Sequence, residues 1–532
     1  MIADIHLTLK RHFMKQRYLI TAVLLALALS SAAQTPGGVG KPEIWTHDTA
    51  SVWIASGTGL TYVGVSRVLG SEEQTIWSLG SGKNTTRIQT TNRAADLGHG
   101  TFMNYAKDSL PEMRLYSYTT SLGNGNGQTL LIGRTPNAKL PVRNLDGCTE
   151  EYVVYNRQLS DVERQRVESC LALKYGISLR SSYLNSPGAV IWNAYANKVY
   201  GHRIAGIITD SLSALHIGKG RSCEDGAFLT VYTRKGLDDG QSLLWGDDNG
   251  RLAFATSKAY GKWLGRRWST SATNMAGTEV DLVADSRQLR QIQPLSDGES
   301  YYLAVDPTGT GSFSAKTLQY HKADAIAGDS IVFRNIVGGA KDVFTLRAAK
   351  DMFTTIEVRQ PGEKNGSTGS LDVRVTGGIP PYRMVLCRER LSVFDRTSGD
   401  SLQTAEGLAE GKYLLSTTDR KGNVAENEFQ ISTTGITEIP SDGMTDHDGN
   451  IFSNVRISPM PTTDGYVDVQ VELGNTAPLD MALYTTGGAT VSTRSYAPDS
   501  YFATKIYLPS PGVYLLTLRS GKQERTVKLI RK

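Results

Sequence analysis

The sequence predicts an all-β, multi-domain chain of β-sandwich modules, with one helix over about 160–175 closing the first domain. Three observations predict it. The 532 residues exceed what one hydrophobic core organises, so three to four domains are expected. The composition is turn-rich, with 54 glycines and only 20% charged residues. Short β-like runs alternate with turn clusters along most of the chain, and one stretch alone specifies a helix well. The net charge of +5 is mild. No basic helix, zinc-finger spacing or aromatic–basic RNA-binding motif is present, so no nucleic-acid partner is expected.

The N-terminus reads as an export signal. Lys15 and Arg17 form a basic region, and residues 18–29 are an apolar run too short for a permanent membrane span. Ser31-Ala32-Ala33 supplies the small residues that signal peptidase reads, which places cleavage between Ala33 and Gln34. Residues 1–33 are therefore the signal peptide, with Met14 as a plausible true start. No cysteine lies near the cleavage point, so no lipid anchor is expected. No later stretch is long and apolar enough for a transmembrane helix.

The first domain spans 34–180. A Pro/Gly-containing entry segment, 34–44, leads into runs such as Thr75-Ile76-Trp77-Ser78-Leu79 and Thr129-Leu130-Leu131-Ile132. The glycine-rich loop 123–127 lacks the spacing of a phosphate-binding loop. Ser160 and Glu163 form a capping box, Asp161 complements the helix dipole, and Val167, Cys170, Leu171 and Tyr175 share a face. Gly176 is the expected stop. Export permits disulfides among Cys148, Cys170, Cys223 and Cys387. Cys148–Cys170 is the best candidate pair; the alternative is that both are small buried apolar residues.

The stretch Leu145-Asp146-Gly147, Glu150 to Arg157, Leu159-Ser160, Glu163-Arg164 and Leu171 to Ile177 resembles the end of a concanavalin-A-like (laminin-G-like) jelly roll. That version is common in surface proteins of gliding and oral Gram-negative bacteria. The resemblance covers about 41–180 and implies architecture more than activity. A second β domain is expected at 181–352. There Pro187 to Trp192, Ile204 to Ile207, Arg266-Arg267-Trp268 and Tyr301 to Asp306 are similar to the strands that follow in such proteins.

Within it, Glu279, Asp281 and Asp285 share one face of a strand and resemble the carboxylate strand of concanavalin-A-like glucanases. Retaining glycosidases need two such acids close together. Asp285 stands where that family has Glu. The other reading has Val280, Leu282 and Ala284 on the core and the acids in solvent. No other hydrolytic motif is present, so no enzyme is expected. Trp245, Trp263 and Trp268 are candidates for sugar stacking or, as is commoner, for the core.

Residues 353–433 form a smaller module. Val373 to Tyr382, then Gly411-Lys412-Tyr413-Leu414-Leu415 and the turn at 419–423, are similar to the immunoglobulin-like repeat of gliding-motility adhesins, as a single copy. Residues 434–452 read as an exposed linker. Its segment 446–450 hints at calcium but lacks the ligands at the right spacing, so no cofactor or metal is expected.

In the last module, 453–532, Val467 to Leu473 alternates without error. Pro459 and Pro461, Tyr484 with Gly487, Gly512 and Tyr514, and the basic end Lys528 to Lys532 resemble, in order, the motifs of the type IX secretion C-terminal sorting domain. Met460 departs from the family's usual Asn. The resemblance implies passage through the type IX translocon. It also implies removal of the module by the sorting-domain protease, and a destination at the outer-membrane surface or beyond. The leading expectation is thus a surface protein of adhesin type with a glycan or host-surface ligand. The alternatives are a glycan hydrolase and a structural surface-layer component.

Overall fold

The structure, a computed structural model, describes residues 34–47, 51–55, 59–70, 72–80, 88–96, 102–104, 113–121, 127–134, 143–290, 295–359, 367–431, 452–458, 462–463, 465–485, 490–521 and 523–532. The signal segment with Ala33, the linker up to 451 with its segment 446–450, and Pro459, Pro461 and Gly487 lie outside them. The all-β expectation holds. Strands dominate, and the expected helix is present as Asp161–Tyr175. A short helix, Arg287–Arg290, was not foreseen. No helix among the described residues is long and apolar enough to cross a membrane.

The chain divides into two compact units. The first comprises Met1–Tyr175 with Tyr183–Val190 and Thr209–His216. Ile44–Thr46, Gly147–Tyr155, Gly59–Val68 and Met113–Ser121 form one antiparallel sheet. Ser51–Ile54, Gln128–Ile132, Gln74–Gly80 and Ile88–Thr91 lead the other. Inward residues of both sheets, among them Leu60, Tyr62, Trp77, Leu79, Leu130 and Tyr152, make one core.

The helix is fixed at its start by the expected capping box. The Ser160 N–H donates to Glu163 Oε2 at 2.9 Å, and the Glu163 N–H donates to Ser160 Oγ at 3.3 Å. Gly176 follows its last turn at φ +66°, the left-handed geometry that stops a helix without strain. Val167, Cys170 and Leu171 are buried as expected, and Tyr175 is half-buried. The boundary expected at 180 does not divide the contacts cleanly. The Leu184 N–H donates to Ser169 Oγ on the helix at 2.9 Å, and Asp210 accepts from the Ser186 N–H at 2.7 Å and Ser213 Oγ at 3.0 Å.

The second unit holds Gly176–Ser182, Ile191–Ile208 and Ile217–Lys532. Its first part packs a nine-stranded sheet against a five-stranded one. The larger contains Ser242–Asp247, Trp268–Thr273, Val343–Lys350 and Glu299–Asp306; the smaller centres on Glu279–Asp285, between Leu229–Tyr232 and Ser330–Val337. Trp245, Trp268, Val280, Leu282, Ala284, Phe333 and Phe344 lie in the shared core.

Residues 353–431 form a seven-stranded sandwich. Phe353–Arg359, Gly369–Thr376 and Leu402–Leu408 make one sheet. Leu391–Ser398, Tyr382–Arg388, Gly411–Thr418 and Val424–Ile431 make the other. The final module repeats this pairing. Its two long strands, Tyr466–Thr485 and Thr490–Tyr507, each pair in two halves. The early half of Tyr466–Thr485 pairs with Phe452–Ser458 and with the late half of Thr490–Tyr507, while residues 480–485 pair with Gly512–Ser520, which pairs with Gln523–Arg531. The immunoglobulin-type strand order expected once thus occurs twice. Val467, Val469, Val471 and Leu473 all point into the core of the last module, as their alternation predicted.

Candidate functional site

The strand Glu279–Asp285 places Val280, Leu282 and Ala284 on the core. Its opposite face differs from both expectations. Only Glu279 faces solvent; Asp281 and Asp285 are 2% and 7% exposed. Each is held by its own arginine. Arg234 Nη2 donates to Asp281 Oδ1 at 2.8 Å, and the Asn335 N–H donates to the same oxygen at 3.1 Å. Arg287 grips Asp285 with two bonds, Nε to Oδ1 at 2.9 Å and Nη2 to Oδ2 at 2.6 Å. Burial raises the Asp281 pKa, but the Arg234 and Asn335 bonds outweigh it, so the carboxyl lies below its ordinary value. The Arg287 bond lowers Asp285 as well. A glycosidase acid needs a carboxyl raised toward neutrality. The arginines move both carboxyls the other way.

The Cys148–Cys170 bridge is not made. Both are free thiols, Cys148 exposed and Cys170 buried. Cys148 Sγ donates to Glu150 at 3.3 Å, while Cys170 Sγ, inside the helix face, donates to the Ser213 carbonyl at 3.5 Å. Burial pushes the Cys170 thiol up to about 12. The small-buried-residue alternative therefore describes Cys170 but not Cys148.

Of the three tryptophans singled out, Trp245 and Trp268 belong to the core. Trp263 lies under the guanidinium of Arg347, 5.1 Å from its ring centroid. The sequence reading missed Trp53, which is 63% exposed on the outer face of an edge strand. Its signal was available, since Val52 and Ile54 beside it alternate inward.

Arg347 was missed as well. It is 3% exposed, on the strand that leads from the second domain into the 353–431 module. Its guanidinium also faces Tyr320 at 5.7 Å and Phe353 at 4.3 Å, so three rings surround it. Nη1 donates to Tyr320 Oη at 2.8 Å and Thr355 Oγ1 at 2.9 Å, and Nη2 to the Thr354 carbonyl at 2.9 Å. Nε is buried without a partner. Beside it opens a cleft of about 710 Å³, lined by Arg347, Gly261, Lys262, Lys350, Glu426 and Asn427 among others. Asn427 braces its wall by donating to the Ala259 carbonyl at 2.7 Å. The lining mixes cations, carboxylates and hydroxyls, a composition suited to binding a polar ligand.

Among the remaining motif residues, Gln34 begins the described chain. Tyr484 pairs with Thr490 and Leu515. Lys528 stands on the last strand opposite Leu515, and the Lys532 N–H donates to the Thr462 carbonyl at 2.9 Å. Gly512 opens a strand whose Tyr514 hydroxyl donates to the Ser510 carbonyl at 2.9 Å. Gly411 does the same in the preceding module, where Tyr413 Oη donates to the Ala409 carbonyl at 2.7 Å. Each is a tyrosine corner, a ring that ties the start of its strand to the turn before it.

Residues 163–338 match a family described as a domain of unknown function (DUF8202), which covers about a third of the chain. No curated protein matches the chain. Among solved structures, a two-domain fibronectin type III segment of chicken tenascin aligns at 16% identity and TM-score 0.15, covering 32% of this chain and 94% of that one. The D00-D0 domain of intimin aligns at 10% identity and TM-score 0.18, covering 33% and 96%. The BSP domain of a biofilm-associated protein aligns at 8% identity and TM-score 0.14, covering 94% and 95%. At these scores the description of the fold rests on the strand pairing itself.

Proposed function

We propose that this chain is an exported cell-surface protein of adhesin type, which binds a glycan or host-surface ligand through its sandwich modules. One observation carries the reading: the carboxylates of the hydrolase-like strand are claimed by Arg234 and Arg287, whereas the polar cleft beside Arg347 is lined for binding. Tandem sandwiches suit such work, because a rigid scaffold holds a recognition surface steady. The route is part of the same proposal. The N-terminal segment directs the chain across the inner membrane, and the type IX translocon takes it across the outer one. A protease then removes the last module near 434–452. The core of that module is its own, built from Phe452, Val467, Leu483, Leu516 and their neighbours, which suits a unit that is cut away.

The binding half is tested with the purified full chain, immobilised and offered glycans, matrix proteins and whole cells. Saturable retention of at least one class is expected. Retention of none contradicts the reading.

A further inference from the structure

We propose that the cleft beside Arg347 takes a carboxylate-bearing saccharide, with the guanidinium of Arg347 receiving the carboxylate. This deepens the surface-binding reading and rests on it.

A buried charge is costly unless paired, and buried arginines ordinarily meet a carboxylate. Arg347 meets none among the described residues. Its hydrogen-bond acceptors are a tyrosine hydroxyl, a threonine hydroxyl and a peptide carbonyl, all neutral. A guanidinium carries five N–H donors, and here Nε has no acceptor. Nε and Nη2 form the edge that grips a carboxylate with two parallel bonds. That edge is turned toward Gly261, a cleft residue. A methyl group there would stand 3.0 Å from Nη2 and 3.7 Å from Nε, so any side chain at 261 would crowd that edge.

The other charges of the cleft support an anionic ligand with hydroxyls. Lys262 is paired with Glu299 at 2.7 Å and Lys258 with Glu428 at 2.9 Å. Among the described residues this leaves Arg347 and Lys350 as cations without a carboxylate, and Glu426 as an acid without a cation. Arg347 and Lys350 attract the carboxylate, while Glu426 and Glu428 accept hydrogen bonds from sugar hydroxyls. The same glutamates repel an acidic peptide, which has no hydroxyls to offer them in exchange. The cleft volume of about 710 Å³ falls in the range that encloses a short oligosaccharide.

The test is calorimetric titration of the full chain with a uronate trisaccharide, its carboxyl-reduced neutral counterpart and a glutamate oligomer. The uronate is expected to bind, and the reduced sugar and the peptide to bind at least about tenfold more weakly. Arg347→Lys keeps the charge but loses the fork, and is expected to weaken uronate binding by about tenfold or more. Lys350→Glu, at an exposed position that leaves the core intact, is expected to weaken it several-fold with an unchanged Tm. Equal affinity for the reduced sugar or the peptide overturns the proposal, as does uronate binding indifferent to Lys350→Glu. Failure of the wild-type chain to bind the uronate at millimolar concentration overturns it too. If the chain still retains cells or neutral glycans in any of these cases, the surface-binding reading stands without this one; if it retains nothing, both fall.

Discussion

Asp281 and Asp285 share one face of a strand, and a different arginine meets each. The alternation of Glu279–Asp285 made its core half legible, because Val280, Leu282 and Ala284 follow the period of two. The acids' fate was not legible. Arg234 lies 47 residues earlier, and nothing local announces that it reaches Asp281. Arg347 was hidden for the same reason. Its rings come from Trp263, Tyr320 and Phe353, and its cleft from four separate stretches of chain, so only the folded chain assembles them. The Cys148–Cys170 pair was suggested by a shared domain, which does not fix where the two thiols point. Cys148 lies on an exposed strand end, and Cys170 points into the helix's buried face. Cys170 is shut away from reagent, whereas Cys148 is exposed, and burial also raises the Cys170 pKa well above its ordinary value. Thiol labelling of the native chain is expected to modify Cys148 and spare Cys170. Unfolding in denaturant without reductant is expected to release all four thiols. A count short by two, with Cys148 and Cys170 unlabelled, contradicts this.

Elements with strong local signals were read correctly. Ser160 and Glu163 announced the helix, and Gly176 ended it, since capping depends on neighbours three or four residues apart. The Gly-x-Tyr motif shows where a local signal was read for the wrong property. Gly512-Val513-Tyr514-Leu515-Leu516 and Gly411-Lys412-Tyr413-Leu414-Leu415 occupy equivalent strands and make equivalent corners. The motif therefore belongs to the sandwich that both modules share, and the sorting resemblance rests on its other residues. The corner has a measurable share of stability. Tyr413→Phe leaves the Ala409 carbonyl without its donor and is expected to cost about 1–2 kcal/mol. Hydrogen exchange is expected to accelerate in Gly411–Thr418 and the strands paired with it, and to stay unchanged in Gly512–Ser520. Tyr514→Phe is expected to give the mirror result. Equal acceleration in both modules, or in neither, contradicts the assignment.

At the scale of the whole molecule, the sequence announced a train of sandwiches but not where one ends. The boundary expected at 180 cuts through a region in which Tyr183–Val190 and Thr209–His216 pack with the first unit. The match at 163–338 likewise begins inside the helix. Such seams follow from tertiary contacts such as Ser186 with Asp210, which composition does not record. The last module has a core of its own. Surface delivery by that module is the central claim. The most direct measurement is protease shaving and fractionation of intact cells of a type IX-competent bacterium producing either the full chain or residues 1–452. The full chain is expected at the surface or in the medium, shortened from its C-terminal end, and the truncated chain in the periplasm. Surface display of both chains alike would contradict the account.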